Sequence, residues 1–443
     1  MTTKLRDVQP GPVTVRGWFE RVTSLKKHSF ATLRDGVGQE SHLQVFVPKS
    51  VIEDLVIESY VEITGVVRSL PEAAHSFRPF ELEAQKITIL GSSHGDFATR
   101  CPSEAGPEVK LEERHLHIRD PKFALVTALR AVLVKAMREH FEETSCLEIY
   151  PPSFVGTQCE GGATLFKLSY PGRSGSDLQG DIPAYLTQSS QFYLEYVLPG
   201  IGDCFCIAPS FRAERSHTRR HLTEFLHAEA EWSGILTLED HLKKLSALIK
   251  GTVSKFLHYG RKHLEELKLV DRVERLLRMC DDIVILTHRE AIEYCRKHDI
   301  YKDIETKTHF DYEDDIPEMQ ERQVIDTIDK IVFLVRFPSG FKSFYFSKFD
   351  DGTVLGCDVE CPGIGEVIGS GVREYDFVKL ERAIKDAGLK REDYREYLDM
   401  RKYGAGRTSG MGLGVDRFLT WLLGTHSIRD VVTFPRYPGR LFP

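Results

Sequence analysis

The chain has 443 residues, 28% of them charged and 41% hydrophobic, and a formal net charge of −7. Such a composition is typical of a globular protein of two or three domains. It excludes collagen-like and low-complexity chains, because the 34 glycines and 20 prolines follow no repeat. It also excludes a membrane partner, because no apolar run approaches the ~20 residues that span a bilayer. The acidic balance argues against nucleic-acid binding unless positive charge is concentrated locally.

Cysteine usage and the amino-terminal residues bear on the compartment. The nine cysteines are scattered and lack the paired C-x2-C spacing of zinc sites. The opening residues lack the apolar core of a secretory signal. We therefore expect a reduced, cytoplasmic protein that binds no metal through cysteine.

Residues 11–90 have the pattern of a small β-barrel. Segments such as 12–22, 42–48 and 59–67 alternate apolar with polar residues and are rich in Val, Ile and Phe. About five strands in roughly 80 residues favour an OB-fold. The predicted division of the chain is an OB-fold domain at 1–92, a linker rich in Gly, Pro and Ser at 93–113, and a second domain at 114–443.

The second domain begins with a predicted long amphipathic helix. Asp120 and Pro121 supply a cap and a first turn, and apolar residues recur at helical spacing as far as Phe141. Strand-like and helical segments then alternate irregularly, without the regular alternation of a parallel sheet. We expect an α+β fold, in which an N-terminal OB-fold β-barrel precedes a domain built on an antiparallel sheet flanked by helices.

Two segments carry signals for anion binding, although the chain has no P-loop. Residues 211–221 read FRAERSHTRRH, and strand-like segments on both sides make this basic run a loop between two strands. Residues 410–417 read GMGLGVDR and lead into a helix, so that Arg417 can clamp a phosphate at the helix start. Each segment alone also has a structural explanation, as a solvated charge run or as close backbone packing.

With these segments in place, the sequence resembles the class II aminoacyl-tRNA synthetases. Three signature motifs occur in order, motif 1 at about 123–152, motif 2 at about 204–231 and motif 3 at about 410–424. The preceding OB-fold resembles that of the aspartyl/asparaginyl/lysyl subclass. Three segments resemble the asparaginyl members in particular, namely 160–166 (EGGATLF), 187–191 (TQSSQ) and 227–231 (HAEAE).

Two positions depart from the pattern of the class. Asp416 stands where the class usually has Glu, which is a conservative change. The insertion at 172–183, before the segment that contains Gln188, is longer than usual and lies near the expected pocket. The sequence assigns this insertion no role.

The resemblance implies an asparagine–tRNA ligase, which activates asparagine with ATP and transfers it to the 3′ end of tRNA(Asn). No covalent enzyme intermediate is needed, so catalysis rests on positioning and on neutralising charge. Arg212 and Arg417 are the implied catalytic residues, and Asp358 and Glu366 match the positions that bind Mg²⁺. The residues implied to bind ATP are Arg212, Glu214, Arg220, His221, Phe225, Glu366, Gly414 and Arg417.

The amino acid has a separate implied pocket, formed by Glu160, Ser189, Gln191, Glu229 and Arg373. In the resemblance, Arg373 reaches the side chain of the substrate. Glu229 can accept from an amide NH2 but would repel a carboxylate, and Leu194 stands where the aspartyl pattern has a Lys. These features favour asparagine over aspartate.

The resemblance also assigns partners. Phe30 would stack on an anticodon base and Gln44 would hydrogen-bond to one, with half-buried packing in the barrel as the alternative explanation for Phe30. Pro152 matches the dimer-interface proline of motif 1, which implies a homodimer. Three alternatives stay open: an aspartate–tRNA ligase, of strict or relaxed specificity; a tRNA-binding paralogue without aminoacylation; and an ATP-dependent asparagine synthetase, whose known versions lack the OB-fold.

Overall fold

The computed structural model describes residues 2–51, 55–71, 76–102, 104–157, 159, 165–172, 181–214, 218–404 and 406–442. The chain divides into two compact units. The first contains residues 1–129 and 262–268, and the second contains residues 130–261 and 269–442.

Five strands of the first unit close a barrel within the described residues. They are β1 (Gly11–Ser24), β2 (His28–Arg34), β3 (His42–Pro48), β4 (Tyr60–Ser69) and β5 (Phe80–Gly91), in the order β1-β2-β3-β5-β4. β3 and β5 pair in parallel, and the other pairs are antiparallel. Alternate residues face inward, so that Leu33, Leu43 and Ile63 are fully buried. The predicted OB-fold barrel is confirmed.

Four helices follow the barrel: α1 (Phe97–Arg100), α2 (Pro107–Glu112), α3 (Arg114–His117) and α4 (Pro121–Glu143). The stretch that its composition marks as a linker therefore contains two short helices. α4 is the predicted amphipathic helix, and the Asp120 carboxylate caps it by accepting from the backbone N–H of Phe123 at 3.0 Å. Leu129, Leu133 and Phe141 lie on its buried face.

The remaining strands and helices form the second domain. The strands are β6 (Leu147–Glu148), β7 (Phe154–Val155), β8 (Lys167–Pro171), β9 (Asp181–Leu186), β10 (Cys204–Phe211), β11 (Glu224–Ser233), β12 (Val284–Thr287), β13 (Val332–Val335), β14 (Gly356–Cys361), β15 (Gly365–Val372) and β16 (Thr408–Gly414). The helices are α5 (Gln191–Ile201), α6 (Leu238–Leu267), α7 (Val270–Met279), α8 (His288–Lys297), α9 (Glu318–Ile328), α10 (Phe377–Asp386), α11 (Arg395–Lys402) and α12 (Val415–Leu423).

The second domain is organised around one large sheet. In the described part of the chain its strand order is β12-β13-β14-β15-β16-β11-β10-β6, and β7, β9 and β8 form a separate small sheet. Only the outermost pairs, β12–β13 and β10–β6, are parallel. The mostly antiparallel sheet with flanking helices confirms the predicted α+β class. β10 and β11 are the two strands predicted around the basic loop.

The glycines of β16 leave room for two side chains of β11. A Cβ atom on Gly410 would fall 1.9 Å from Glu231 Oε1, and one on Gly412 would fall 2.5 Å from His227 Nε2. Both glycines are therefore needed because inward side chains of β11 occupy the space above β16. For these two glycines, close packing is the explanation that the structure supports.

No helix in the described residues is long and apolar enough to cross a membrane.

Candidate active site

A cavity of about 370 Å³ lies against the central strands of the large sheet. It brings together side chains from motifs 2 and 3, from β14 and β15, and from the start of α5. Thirteen of the residues predicted to catalyse the reaction or bind a ligand line it: Ser189, Gln191, Arg212, Glu214, Arg220, His221, Phe225, Glu229, Asp358, Glu366, Arg373, Gly414 and Arg417. Glu160 lies outside the described residues, and Pro152 is exposed before β7.

One end of the cavity is built around the carboxylate of Glu229, which is buried on β11. The hydroxyl of Ser189 donates to Oε1 of Glu229, and the backbone N–H of Ser190 donates to Oε2 at 2.8 Å. The same Ser189 hydroxyl oxygen accepts from the backbone N–H of Gln191 at 3.1 Å. The loop before α5 therefore holds the Glu229 carboxylate in one orientation, with lone pairs remaining on its oxygens.

Arg373, at the end of β15, forms a buried ion pair beside Glu229. Its Nε and Nη2 donate to Glu231 Oε1 at 3.1 and 2.5 Å, and its guanidinium lies 5.3 Å from the ring centroid of Tyr345. Burial acts to raise the pKa of the Glu231 carboxyl, and the hydrogen bonds and charge of Arg373 act to lower it. Arg373 already has an anionic partner in Glu231. Burying a neutral amide beside it therefore costs less free energy than burying a second carboxylate there.

The other end of the cavity is lined by cations and an aromatic ring. The guanidinium of Arg212 lies 5.5 Å from the ring centroid of Phe225, the second residue of β11. Arg417, in the first turn of α12, donates from Nη1 to the backbone oxygen of Glu366 at 2.7 Å, and the same nitrogen lies 3.7 Å from Glu366 Oε2. Burial lowers the pKa of the Arg417 guanidinium, and Arg220 and Arg212 lower it further. A cluster of cations of this kind favours the binding of an anionic ligand.

Two further groups extend this cationic end. Arg220 donates from Nη1 to Glu318 at 2.6 Å, and it lies against Gly365, where a Cβ atom would meet the guanidinium at 2.8 Å. Burial lowers the pKa of His221, and the neighbouring charge of Arg417 lowers it further. His221 is therefore neutral near pH 7 before an anion binds.

The acids Asp358 and Glu366 lie at this end, and Asp358 is ion-paired with Lys342. Burial raises the pKa of Asp358 to about 6, and Lys342 opposes the rise. Burial also acts to raise the pKa of Glu366, but Arg417 and Lys342 hold it below the ordinary value. Within the described residues, no group of three or more His, Cys, Asp or Glu could hold a metal alone. Two carboxylates beside a cationic part of the cavity fit Mg²⁺, which takes its other ligands from phosphates and water.

Asp416 does not act in this cavity as an exposed acid. It is 1% exposed, and its Oδ1 accepts from Arg130 Nε of α4 at 2.6 Å, while its Oδ2 accepts from the backbone N–H of Leu226 at 3.1 Å. One carboxylate thus ties motif 3 to motif 1 and motif 2.

Comparisons with known proteins agree with this arrangement. The family "tRNA synthetases class II (D, K and N)" matches residues 106–438, and "OB-fold nucleic acid binding domain" matches residues 13–90. The first match covers more than half of the chain. The protein belongs to the class II tRNA synthetases of the D, K and N group.

Individual relatives of this synthetase carry asparagine in their names. A cytoplasmic asparagine–tRNA ligase of Dictyostelium discoideum is 36% identical over 99% of this chain and 67% of its own length. Asparaginyl-tRNA synthetase of Pyrococcus horikoshii, solved with asparaginyl-adenylate, superposes with a TM-score of 0.87 at 32% identity, over 100% of both chains. The Entamoeba histolytica enzyme, also solved with asparaginyl-adenylate, gives a TM-score of 0.86 at 31% identity, over 100% of this chain and 98% of its own.

On the barrel of the synthetase, Phe30 and Gln44 lie on neighbouring strands, β2 and β3. The Phe30 ring is half-buried, with centroids 5.2 Å from His28 and 5.7 Å from Phe46. Gln44 donates from Nε2 to Glu81 at 2.9 Å. Phe30 and Gln44 therefore belong to the surface of the barrel and not to its core. This surface carries three partly exposed rings next to exposed Lys26 and Lys27.

Sequence reasoning missed several residues of the synthetase cavity, above all Glu231 and Lys342. A signal for Glu231 was available, because residues two apart on a strand share a face and Glu231 follows Glu229 by two on β11. Lys342 gave no signal. It stands in an irregular segment between β13 and β14, and only the folded chain brings it to Asp358.

Proposed function

We propose that this synthetase is an asparagine–tRNA ligase. The observation that carries the proposal is that Glu229 and Arg373 both line one end of a cavity whose other end is cationic. Glu229 is an anionic acceptor suited to an amide NH2, and Arg373 is a donor suited to the amide oxygen, with its charge matched by Glu231. The names of the relatives at 31–36% identity support the same substrate.

The reaction has two steps. The α-carboxylate of asparagine attacks the α-phosphorus of ATP, forming asparaginyl-adenylate and releasing pyrophosphate. A ribose hydroxyl at the 3′ end of tRNA(Asn) then attacks the acyl carbon, forming the ester and releasing AMP. The first step brings two anions together and the second releases the AMP anion, so that fixed positive charge lowers both barriers.

The cationic residues have distinct proposed roles in the first step. Arg212 holds the α-phosphate beside the attacking carboxylate, while Phe225 stacks on the adenine and Glu214 accepts from the adenine amino group. Arg417 binds the terminal phosphate, and Arg220 and His221 lie beside the phosphates. Gly414 leaves backbone space where β16 meets α12. Arg212 and Arg417 are the proposed catalytic residues because both contact the groups whose charge changes.

Mg²⁺ would be held by Asp358 and Glu366, and when bound it neutralises phosphate charge. The Lys342 ammonium pairs with Asp358 and partly compensates the charge of that carboxylate. Glu366 is already oriented by Arg417, which binds its backbone oxygen. The chain itself therefore provides a compensated arrangement of charges that can accept both the nucleotide and its cation.

The amino acid is proposed to bind with its α-amino group at Gln191 and Glu160. Ser189 contributes indirectly by orienting Glu229 through a hydrogen bond. Discrimination against aspartate follows from electrostatics, because a second carboxylate beside Glu229 would be buried without a cation of its own.

We also propose a homodimer formed through motif 1, a division of the chain into domains at 1–92 and 114–443, and a cytoplasmic location. Pro152 is exposed, and large apolar side chains flank it, with Leu147, Tyr150 and Phe154 exposed by 54%, 86% and 57%. An exposed apolar surface of this kind is typical of an interface. The named relatives described as cytoplasmic support the location.

The test is ATP–pyrophosphate exchange with asparagine and aspartate side by side, followed by aminoacylation of bulk tRNA with each labelled amino acid. We expect exchange and charging with asparagine and at least about 100-fold less with aspartate, because the site would have to bury an unmatched carboxylate. Exchange with aspartate alone would identify an aspartate–tRNA ligase. No exchange with either would identify a paralogue without aminoacylation.

A further inference from the structure

A second buried carboxylate, Glu195, lies behind the amino-acid end of the cavity. It stands on α5 one helical turn after Gln191, on the same face, and it is 4% exposed. It does not line the cavity. Its charge nevertheless lies close to both proposed ligands of asparagine, Gln191 for the α-amino group and Arg373 for the side chain.

The contacts of Glu195 link both of these ligands to α11. Gln191 donates from Nε2 to Glu195 Oε1 at 3.0 Å, and Arg373 Nε lies 3.9 Å from the same oxygen. From α11, the Tyr397 hydroxyl donates to Oε1 at 2.8 Å, and Arg401 Nη2 donates to Oε2 at 2.6 Å. Tyr397 and Arg401 are also buried and do not line the cavity.

This bonding determines how Gln191 is presented. Because the amide NH2 of Gln191 donates to Glu195, the amide oxygen is left as the group that can accept from an ammonium. If Glu195 lost its charge, the amide could reverse and present donors to a positively charged α-amino group.

Glu195 is also a second carboxylate near Arg373. Its Oε1 lies 3.9 Å from the Nε that donates to Glu231, so that one carboxylate from α5 and one from β11 act on the same guanidinium. These two carboxylates restrict the position of Arg373 before any substrate binds, which lowers the entropic cost of binding the amide oxygen.

The geometry points to Glu195 as a positioning residue that sets the affinity for asparagine by orienting Gln191 and Arg373 together. This inference rests on the proposed function. Tyr397 supports it by donating to the same carboxylate. The bonds of Glu195 described above lead to Gln191, Arg373, Tyr397 and Arg401 and not to a residue assigned to ATP, so we expect the effect on the amino acid.

The test compares the KM for asparagine with the KM for ATP in pyrophosphate exchange, for the full-length protein and three variants. Glu195→Gln keeps the shape but removes the charge, and we expect the KM for asparagine to rise about tenfold while the KM for ATP changes less than about twofold. Tyr397→Phe removes one donor to Glu195, and we expect a rise of about threefold in the KM for asparagine alone.

Tyr196→Phe is the matched control. Tyr196 is the next residue on α5, and its ring packs near that of Tyr397, with centroids 6.5 Å apart. The substitution deletes the same hydroxyl group without removing a donor to Glu195, so both KM values should stay those of the unmodified protein.

The inference is overturned if neither Glu195→Gln nor Tyr397→Phe changes the KM for asparagine. It is also overturned if the KM for ATP rises in parallel, or if Tyr196→Phe has the same effect as Tyr397→Phe. The failure of the proposed function is a different result, because the unmodified protein would then show no exchange with asparagine at all.

Discussion

At the scale of single residues, shortening the Glu229 side chain is the sharpest test of how the site selects asparagine over aspartate. Replacing Glu229 by Asp draws the carboxylate back by one methylene, away from the Ser189 hydroxyl and the Ser190 N–H that orient it. We expect the preference for asparagine over aspartate, measured as the ratio of kcat/KM in pyrophosphate exchange, to fall about tenfold.

Glu224→Asp is the control for this change. Glu224 begins the same strand, is exposed, and does not line the cavity. Its shortening should leave the ratio unchanged. A ratio that stays constant in Glu229→Asp as well would remove Glu229 from the selection of the amide.

At the scale of elements, the Asp416 carboxylate joins three of them. It stands in the first turn of α12, and it accepts from Arg130 of α4 and from the backbone of β11. Asp416→Asn keeps the shape but leaves Arg130 without its counter-charge. Since the Arg130 side chain is 27% exposed and can reach water, we expect a loss of about 2 kcal/mol in the free energy of unfolding, less than for a fully buried pair.

The measurement is urea unfolding at neutral pH, with Asp386→Asn as the control. Asp386 is exposed at the end of α10, so its substitution should change the free energy of unfolding by less than about 0.5 kcal/mol. Equal stability of Asp416→Asn and the unmodified protein would mean that the three elements are held by packing alone. Asp416→Glu should also destabilise, because a methylene added at a buried site forces repacking.

The elements themselves could be predicted well from the sequence. Alternation of apolar residues in 12–22 and 59–67 gave two barrel strands, and the cap at Asp120 gave the start of α4. The position of the basic loop between β10 and β11 also followed from its flanks. These features are local, because a few neighbouring residues decide them.

The residues that hold the site residues in position could not be predicted in the same way. Glu195 meets Tyr397 across 202 positions of sequence, and Lys342 reaches Asp358 from an irregular segment. No periodicity encodes such contacts, because they depend on how α5, α11 and the sheet pack. The sequence indicated the cavity residues that match family motifs, and the fold was needed to find those that hold them.

At the scale of the whole molecule, the net charge of −7 describes the protein poorly. Positive charge is concentrated at two places. One is the barrel surface beside Phe30, in the first unit, and the other is the cationic end of the cavity, in the second unit. Local charge and exposed rings determine which ligand is recognised, so an acidic chain can still bind nucleic acid. The two proposed activities, activation of the amino acid and recognition of the tRNA, are therefore separable by mutation.

Phe30→Ala tests this separation. Base stacking on an aromatic ring is worth ~1–3 kcal/mol, so we expect kcat/KM for aminoacylation of tRNA to fall by about 10- to 100-fold. Pyrophosphate exchange with asparagine should be unchanged, because activation uses no tRNA. Phe77→Ala, which removes another exposed phenyl ring from the same unit, should alter neither activity. If Phe30→Ala lowers exchange and charging equally, the ring serves the stability of the barrel through His28 and Phe46, and the anticodon has to be read elsewhere.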